Sequence, residues 1–218
     1  MEWRLLAGVP EEEIRTLLSV ARRRHFSRDE VVFHRDDPGD SLHLIVKGRF
    51  AIRITTPLGD TAMIGVRGPG DFFGELALLA DTHGRAATVS ALEEAETFAV
   101  THSAFEALRS RHHGITDLVL RLLAGEIRRL DERLLEALYL PAEKRLRRRL
   151  CELADVYGAA GKGPIELPLT QESLAELAGT SRATVNRVLR DEEQRGTLEL
   201  HRRRTVIGDL DALARRAR

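Results

Sequence analysis

The 218-residue chain carries 34 basic and 34 acidic side chains, with 43% apolar residues but only 5% aromatic. That length suits two ordinary domains, whose cores Leu, Ile, Val and Ala must fill. A net charge of zero excludes a surface of one sign, but from Pro141 onward 16 basic residues face 12 acidic ones, against 18 and 22 before it. The C-terminal excess hints at a polyanionic partner there. One cysteine, Cys151, excludes an internal disulfide and an all-cysteine iron–sulfur centre, and its apolar helical setting points to plain core. The start Met1-Glu2-Trp3-Arg4 has no leader pattern, and no apolar run approaches ~18 residues, so a cytoplasmic protein without a membrane partner is expected.

In chain order, Pro10 to Arg22 is predicted as a helix, with Pro10 in the first turn, Glu11 to Glu13 at its positive end, and a stripe of Ile14, Leu17, Leu18 and Ala21. From Glu30 to Val100 the pattern shifts to short strands: Val31 to Phe33, Leu42 to Val46, Phe50 to Ile54 and Ala62 to Val66. Turn signals separate them at Asp37-Pro38-Gly39-Asp40, Lys47-Gly48, Leu58-Gly59-Asp60 and Gly68-Pro69-Gly70-Asp71. Many short, evenly spaced strands imply a double-sheet jelly roll.

Within that roll stands Phe73-Gly74-Glu75-Leu76-Ala77-Leu78-Leu79, then Arg85-Ala86-Ala87-Thr88-Val89. Gly74 admits a ligand close to the backbone. Leu76 and Ala77 open a short helix whose unpaired N–H groups attract an anion. Arg85 offers a charged fork to a phosphate, and Glu75 suits a ribose hydroxyl. The plainer alternative is a turn and helix in which Glu75 and Arg85 pair with each other.

After Thr101 the spacing of Leu120, Leu123, Ile127, Leu130, Leu134 and Ala137 alternates threes and fours, the seam of a dimeric coiled coil. One helix packed on its own domain is the alternative. Pro141 ends this helix and marks a hinge. Another helix follows over Arg145 to Val156, then a glycine-rich loop from Gly158 to Pro164.

Leu169 to Leu189 has the pattern of a helix-turn-helix. Thr170 caps the first helix with Ser173 in place of the usual glutamate, Gly179 makes the turn, and Thr180 or Ser181 caps the second. Leu174, Leu177, Ala178, Val185, Val188 and Leu189 pack inward, which leaves Arg182, Ala183, Asn186 and Arg187 outward where a recognition helix meets base edges. Any antiparallel pair of small helices shows part of this. Next, Thr197 to Leu200 and Thr205 to Gly208 form a hairpin with Arg202, Arg203 and Arg204 at its tip, a wing suited to phosphates. The histidines at 25, 34, 43, 83, 102, 112, 113 and 201 lack paired ligand spacing, so no metal is expected; Ser41 and Ser103 lack triad context, and no enzyme activity is expected.

Jelly roll, cassette, heptad helix, proline hinge and winged helix-turn-helix, in this order, resemble the cyclic-AMP receptor protein/FNR (Crp/Fnr) family of bacterial transcription regulators over nearly the whole chain. The resemblance implies an α+β fold: a cyclic-nucleotide-binding jelly roll over 1–110, a dimerisation helix over 111–140 and a winged helix-turn-helix DNA-binding domain over 141–218. It implies a homodimer that binds double-stranded DNA, contacts RNA polymerase and takes cAMP as effector without any further cofactor. By the same resemblance, Gly74, Glu75, Leu76, Ala77, Arg85, Ala86 and Ala87 match the ligand cassette. Arg182, Ala183 and Arg187 match base-reading positions, and Ser181, Thr184 and His201 match phosphate-contacting ones.

Three departures stand out. Ala86 replaces the serine that follows the cassette arginine in the family's prototype, although Arg-Ala-Ala resembles the cassettes of cAMP-dependent kinase regulatory subunits. The threonine-serine pair that touches adenine has no equivalent; Leu130-Asp131 is roughly the matching place. Ala183 replaces the glutamate that reads cytosine, so a different DNA sequence is expected. Two alternatives remain open at this level: the same architecture with another effector or none, and a cyclic-nucleotide module that regulates an enzyme.

Overall fold

A computed structural model describes residues 2–79, 84–158 and 163–218. The chain falls into two compact units, Met1–Ile54 with Gly65–Arg128, and Thr55–Ile64 with Arg129–Arg218.

The first unit begins with a 3-10 turn, Arg4–Leu6, and helix α1, Glu11–Val20. Pro10 stands before this helix as its N-cap. The helix predicted to reach Arg22 stops two residues earlier, because Arg22–Phe26 is already a strand, β1. Its sequence, three arginines and a histidine before Phe26, has no alternating pattern. What makes it a strand is the backbone ladder to β8, Ala95–Thr101, in register Arg22 with Ala99 through Phe26 with Ala95.

The remaining strands are β2 Val31–Phe33, β3 Ser41–Lys47, β4 Phe50–Thr55, β5 Thr61–Arg67, β6 Phe72–Phe73 and β7 Thr88–Ala91. They form two four-stranded sheets in the orders β1-β8-β3-β6 and β2-β7-β4-β5, the expected double-sheet roll. Strand β3 is buried on both faces. Leu42 and Leu44 join Trp3, Leu17, Val100, Phe105 and Leu108 in a core under the helices. On the opposite face Ile45 joins Phe26, Phe50, Phe73 and Val89 between the sheets. The Trp3 indole donates to the Ile45 carbonyl at 3.0 Å, which satisfies the one polar atom that this large apolar ring brings inside.

Helices α2 Leu76–Leu79, α3 His102–Arg111 and α4 Gly114–Tyr139 follow. Ile115 and Val119, at the start of α4, pack into the first core with Leu122 and Leu123 partly buried beside them. Further along, the seam residues Leu120, Ile127, Leu130 and Leu134 are 53–60% exposed in the single chain, and Ala137 is exposed as well. The start of α4 therefore packs on its own domain while most of the seam stays uncovered.

In the second unit, Pro141 caps α5, Ala142–Tyr157, a longer helix than Arg145 to Val156. Arginines pin the α4–α5 turn: Arg148 donates to Glu136 at 2.8 Å, Arg149 pairs with the same carboxylate, and Arg133 reaches Glu152 at 2.9 Å. Helices α6 Gln171–Ala178 and α7 Arg182–Gln194 pack on each other and on α5, with Leu174, Val185, Val188 and Leu189 buried, as are Leu146 and Leu150 of α5. A three-stranded sheet of β9 Ile165–Leu167, β10 Leu198–His201 and β11 Arg204–Ile207, in order β10-β11-β9, and helix α8 Leu210–Ala217 complete it. Neither β9 nor α8 was expected from sequence. Cys151, expected in the core, is only half-buried. Burial together with Asp155 and Glu152 still pushes its thiol up. Ala159 to Lys162 of the predicted glycine-rich loop lie outside the described residues, as does His83.

Glu192 is fully buried and accepts from Arg147 at 2.7 Å and from Arg216. Burial alone would raise its carboxyl, but hydrogen bonds from Arg216, Arg147 and Thr197 outweigh that and hold it below the usual range.

His43, on β3, stacks on Phe73 at 4.9 Å and shares a hydrogen bond with Thr97 at 3.0 Å. Burial, then the charges of Arg85 and Arg24, push its imidazole down to about 3 despite the opposing Asp40. The folded base thus stays neutral where the unfolded one, with an ordinary value of 6.5, takes a proton. Stability is therefore complete above that value and is lost as pH falls toward about 3. Between pH 7 and 5.5 the parent should lose about 1 kcal/mol more stability than His43→Leu in urea titrations at equal chain concentration. Equal losses would show that His43 does not carry this sensitivity.

Candidate functional site

Strand β6 ends at Phe73 and the backbone turns through Gly74 with φ +87°. A side chain at Gly74 would place its Cβ 2.8 Å from the Arg85 Nη1 and 3.1 Å from the Ser41 carbonyl oxygen, so only glycine fits this crossing. The Glu75 carbonyl accepts from Leu78 and Leu79 to open α2, while the Leu76 and Ala77 amides make no hydrogen bond among the described residues. Ala77 is buried against Gly39, which belongs to the Asp37-Pro38-Gly39-Asp40 turn.

That turn also positions Arg85. Its backbone N–H donates to Asp37 and its carbonyl accepts from Asp36, and Gly84 bridges to Pro38. The side chain is 4% exposed. Nη1 donates to the Ser41 carbonyl at 2.6 Å and the Gly74 carbonyl at 3.2 Å, and Nη2 to the Ser41 hydroxyl at 3.3 Å. The guanidinium lies 4.1 Å over the Phe33 ring, and its buried Nε has no partner. Burial lowers its pKa against the pull of Asp40, Asp37 and Glu75. Asp40, the nearest carboxylate, is 3.9 Å away and open to solvent. Arg85 is therefore held by neutral acceptors with fork capacity in reserve, and the alternative of a simple Glu75–Arg85 ion pair is not what forms. Ala87 is buried and Ala86 exposed.

Glu75 borders a cavity of about 40 Å³, lined by Arg4, Arg67, Phe72, Leu122, Leu123 and Glu126 among others. That is room for a water or two, well short of a nucleotide. Arg67 is paired with Glu126 at 2.9 Å. Burial raises the Glu75 carboxyl against Arg67 and Arg85. The residues of α4 beside Glu75 are thus Val119, Leu122, Leu123 and Glu126. Leu130 and Asp131, the sequence's candidates from that helix, are exposed and fall in the second unit. Sequence reasoning missed Phe33, Ser41, Arg67 and Glu126. A predicted strand ended at Phe33 and turn signals adjoined Ser41 and Arg67, but none of these assigned them to the site, and Arg67 and Glu126 lie 59 positions apart.

In the second unit the Thr170 hydroxyl accepts from the Ser173 N–H at 3.1 Å, and Gly179 takes φ +60°. Arg145 closes the end of α6 by donating to Ala178 at 3.1 Å and Gly179 at 2.8 Å. Ser181 caps α7 by accepting from the Thr184 N–H at 3.2 Å. Arg182, Ala183, Asn186 and Arg187 stand together on the exposed face. Asn186 donates to Gln171 at 3.3 Å, and Arg187 pairs with Glu143 of α5 at 2.5 Å.

The wing departs from expectation in its strands, Leu198–His201 and Arg204–Ile207 where Thr197 to Leu200 and Thr205 to Gly208 were expected, and at its tip. Its tip is a two-residue turn of Arg202 and Arg203, with Arg203 at φ +63°. Arg204 is instead the first residue of β11, paired with His201 across the ladder and with Glu166 at 3.3 Å. Closing the hairpin in two residues leaves no place at its tip for a third arginine. No group of three or more metal-binding side chains occurs among the described residues, and no helix among them is long and apolar enough to cross a membrane.

The cyclic nucleotide-binding domain family matches residues 23–112, and the Crp-like helix-turn-helix domain family matches residues 144–216. A CRP-like cAMP-activated global transcriptional regulator of Mycobacterium tuberculosis is 31% identical over 98% of this chain and 96% of its own. The Cyclic AMP receptor protein of Thermus thermophilus is 32% identical over 90% and 88%. Among solved structures, the Thermus thermophilus Catabolite Activator Protein aligns with a TM-score of 0.56 at 30% identity, covering 98% of both chains. FixK2 of Bradyrhizobium japonicum shares the fold, with a TM-score of 0.79 at 21% identity over 90% of this chain and 96% of its own. With both family matches in chain order and relatives aligned end to end, the chain belongs to the Crp/Fnr family of transcription regulators and combines a cyclic nucleotide-binding domain with a Crp-like helix-turn-helix.

Proposed function

We propose that this regulator takes cAMP as its effector in the cassette and that the ligand tunes its binding to duplex DNA as a homodimer. The observation that carries the reading is the buried Arg85, hydrogen-bonded only to carbonyl and hydroxyl acceptors beside Gly74, with the exposed Asp40 no nearer than 3.9 Å and Nε unpartnered. An anionic oxygen within hydrogen-bond reach is the partner such a group lacks. In this reading the cyclic phosphate meets Arg85 and the amides at Leu76 and Ala77, with Gly74, Ala86 and Ala87 keeping the approach open. Glu75 accepts from the ribose, and Leu130 and Asp131 lie toward the base. The relative from Mycobacterium tuberculosis, named as cAMP-activated, supports this choice of ligand.

On the DNA side, Arg182, Ala183, Asn186 and Arg187 read bases, while Thr170, Ser181, Thr184, His201, Arg202, Arg203 and Arg204 meet phosphates. The exposed seam Leu120, Ile127, Leu130 and Leu134 is the dimer contact. Family membership supports an RNA polymerase contact and a division into 1–110, 111–140 and 141–218.

Three outcomes follow. Glu75→Gln and Arg85→Lys should each weaken cAMP binding by ~10-fold or more in calorimetry, since a charged hydrogen bond is worth about 1.5–3 kcal/mol; parent protein that binds no cAMP sinks the assignment. Removing Arg202 and Arg203 should flatten the plot of log affinity against log salt by ~0.9 for each phosphate that is no longer neutralised. An unchanged slope with altered sequence preference would place these arginines on bases instead. Lastly, Ala86 and Leu130-Asp131 offer the ligand fewer hydroxyls than the family's prototype does, so cAMP should enhance DNA binding less than ~100-fold, with measurable binding in its absence. Fluorescence titrations that find ligand-free protein inert and liganded protein nanomolar would contradict this.

A further inference from the structure

Arg187 is an outward-facing arginine of α7, yet its guanidinium is already engaged. Nη2 lies 2.5 Å from Oε1 of Glu143, a residue of the first turn of α5. Both side chains remain in contact with solvent, 66% and 33% exposed. The Arg187 hydrogen bond holds the Glu143 carboxyl below the usual range, so the pair is fully charged at neutral pH. The neighbouring Arg147 favours the Glu143 charge only through space, because its own ion pairs go to Asp191 at 3.2 Å and Glu192 at 2.7 Å. Whatever Arg187 touches therefore comes within reach of an acidic oxygen. A phosphate there is repelled, whereas a guanine edge is neutral and offers two acceptors.

We propose that Glu143 is a specificity-determining residue: it keeps Arg187 occupied against isolated phosphate contacts and releases it to a bidentate base. An exposed ion pair is comparable to one phosphate contact but weaker than a bidentate arginine–guanine contact. The pair therefore filters the first and yields to the second. This inference rests on the reading of Arg187 as a base contact.

The test uses the full chain with cAMP present, a duplex selected by the parent protein from randomised DNA, and a scrambled duplex of equal composition. Affinities for both are measured for the parent, Glu143→Gln, Arg187→Ala and the double variant. Glu143→Gln should tighten scrambled DNA three- to tenfold and the selected duplex much less, so the specificity ratio falls at least threefold. That fall should vanish in the Arg187→Ala background. A ratio that stays constant or rises, or that falls equally in both backgrounds, overturns the proposal and reduces Glu143 to general charge repulsion. Arg187→Ala with an unaltered ratio instead overturns the base-reading role and this inference with it. Thermal unfolding of each variant checks the fold, and Glu143→Asp, which keeps the charge on a shorter arm, should fall between parent and Glu143→Gln.

Discussion

A guanidinium buried in a β roll must find acceptors, and Arg85 draws them from distant parts of the first unit. Phe33 of β2 supplies a ring face, Ser41 of β3 a carbonyl and hydroxyl, and Gly74 the carbonyl of the turn before α2. None of these carries charge, and the nearest carboxylate, Asp40, stands 3.9 Å away and open to solvent, so the cation is solvated more than it is neutralised. The consequences spread outward. Residue 74 must be glycine because the guanidinium passes where a Cβ would stand. Gly39 is required for a related reason, since a Cβ there would sit 2.3 Å from that of Ala77. His43 behind the cation must stay neutral, which its low pKa reflects.

The second unit uses its arginines differently. Arg147, Arg148, Arg149 and Arg216 all point inward to carboxylates, with Glu192 and Glu136 as the principal acceptors. Arg145 spends its fork on the carbonyls that end α6. Much of the basic excess counted from the sequence is thus internal structure. Arg182, Arg202 and Arg203 make no ion pair among the described residues and are exposed, so charge is available to a polyanion at the start of α7 and at the wing tip. A near-neutral chain can carry a local basic surface because many of its other cations, Arg147, Arg148, Arg149 and Arg216 among them, are paired where they stand.

Local rules were enough where chemistry and position coincide along the chain. The sequence alone determined the short strands of the roll, the short helix after Gly74-Glu75, the Pro141 break, the cap at Thr170, a second cap at Thr180 or Ser181, and the inward stripe of Val185, Val188 and Leu189. Each depends on residues within a few positions of one another, whose periodicity and capping chemistry act before any tertiary contact exists. Tertiary structure alone decided the rest. Strand β1 exists because β8 offers a ladder to a segment with no strand pattern of its own. Strand β9 and helix α8 likewise become stable only against β11 and α5. The partners of Arg85, the Arg67–Glu126 pair beside Glu75, and the Glu143–Arg187 pair join residues 11 to 59 positions apart. No spacing rule reaches that far, because such contacts are set by how sheets and helices pack.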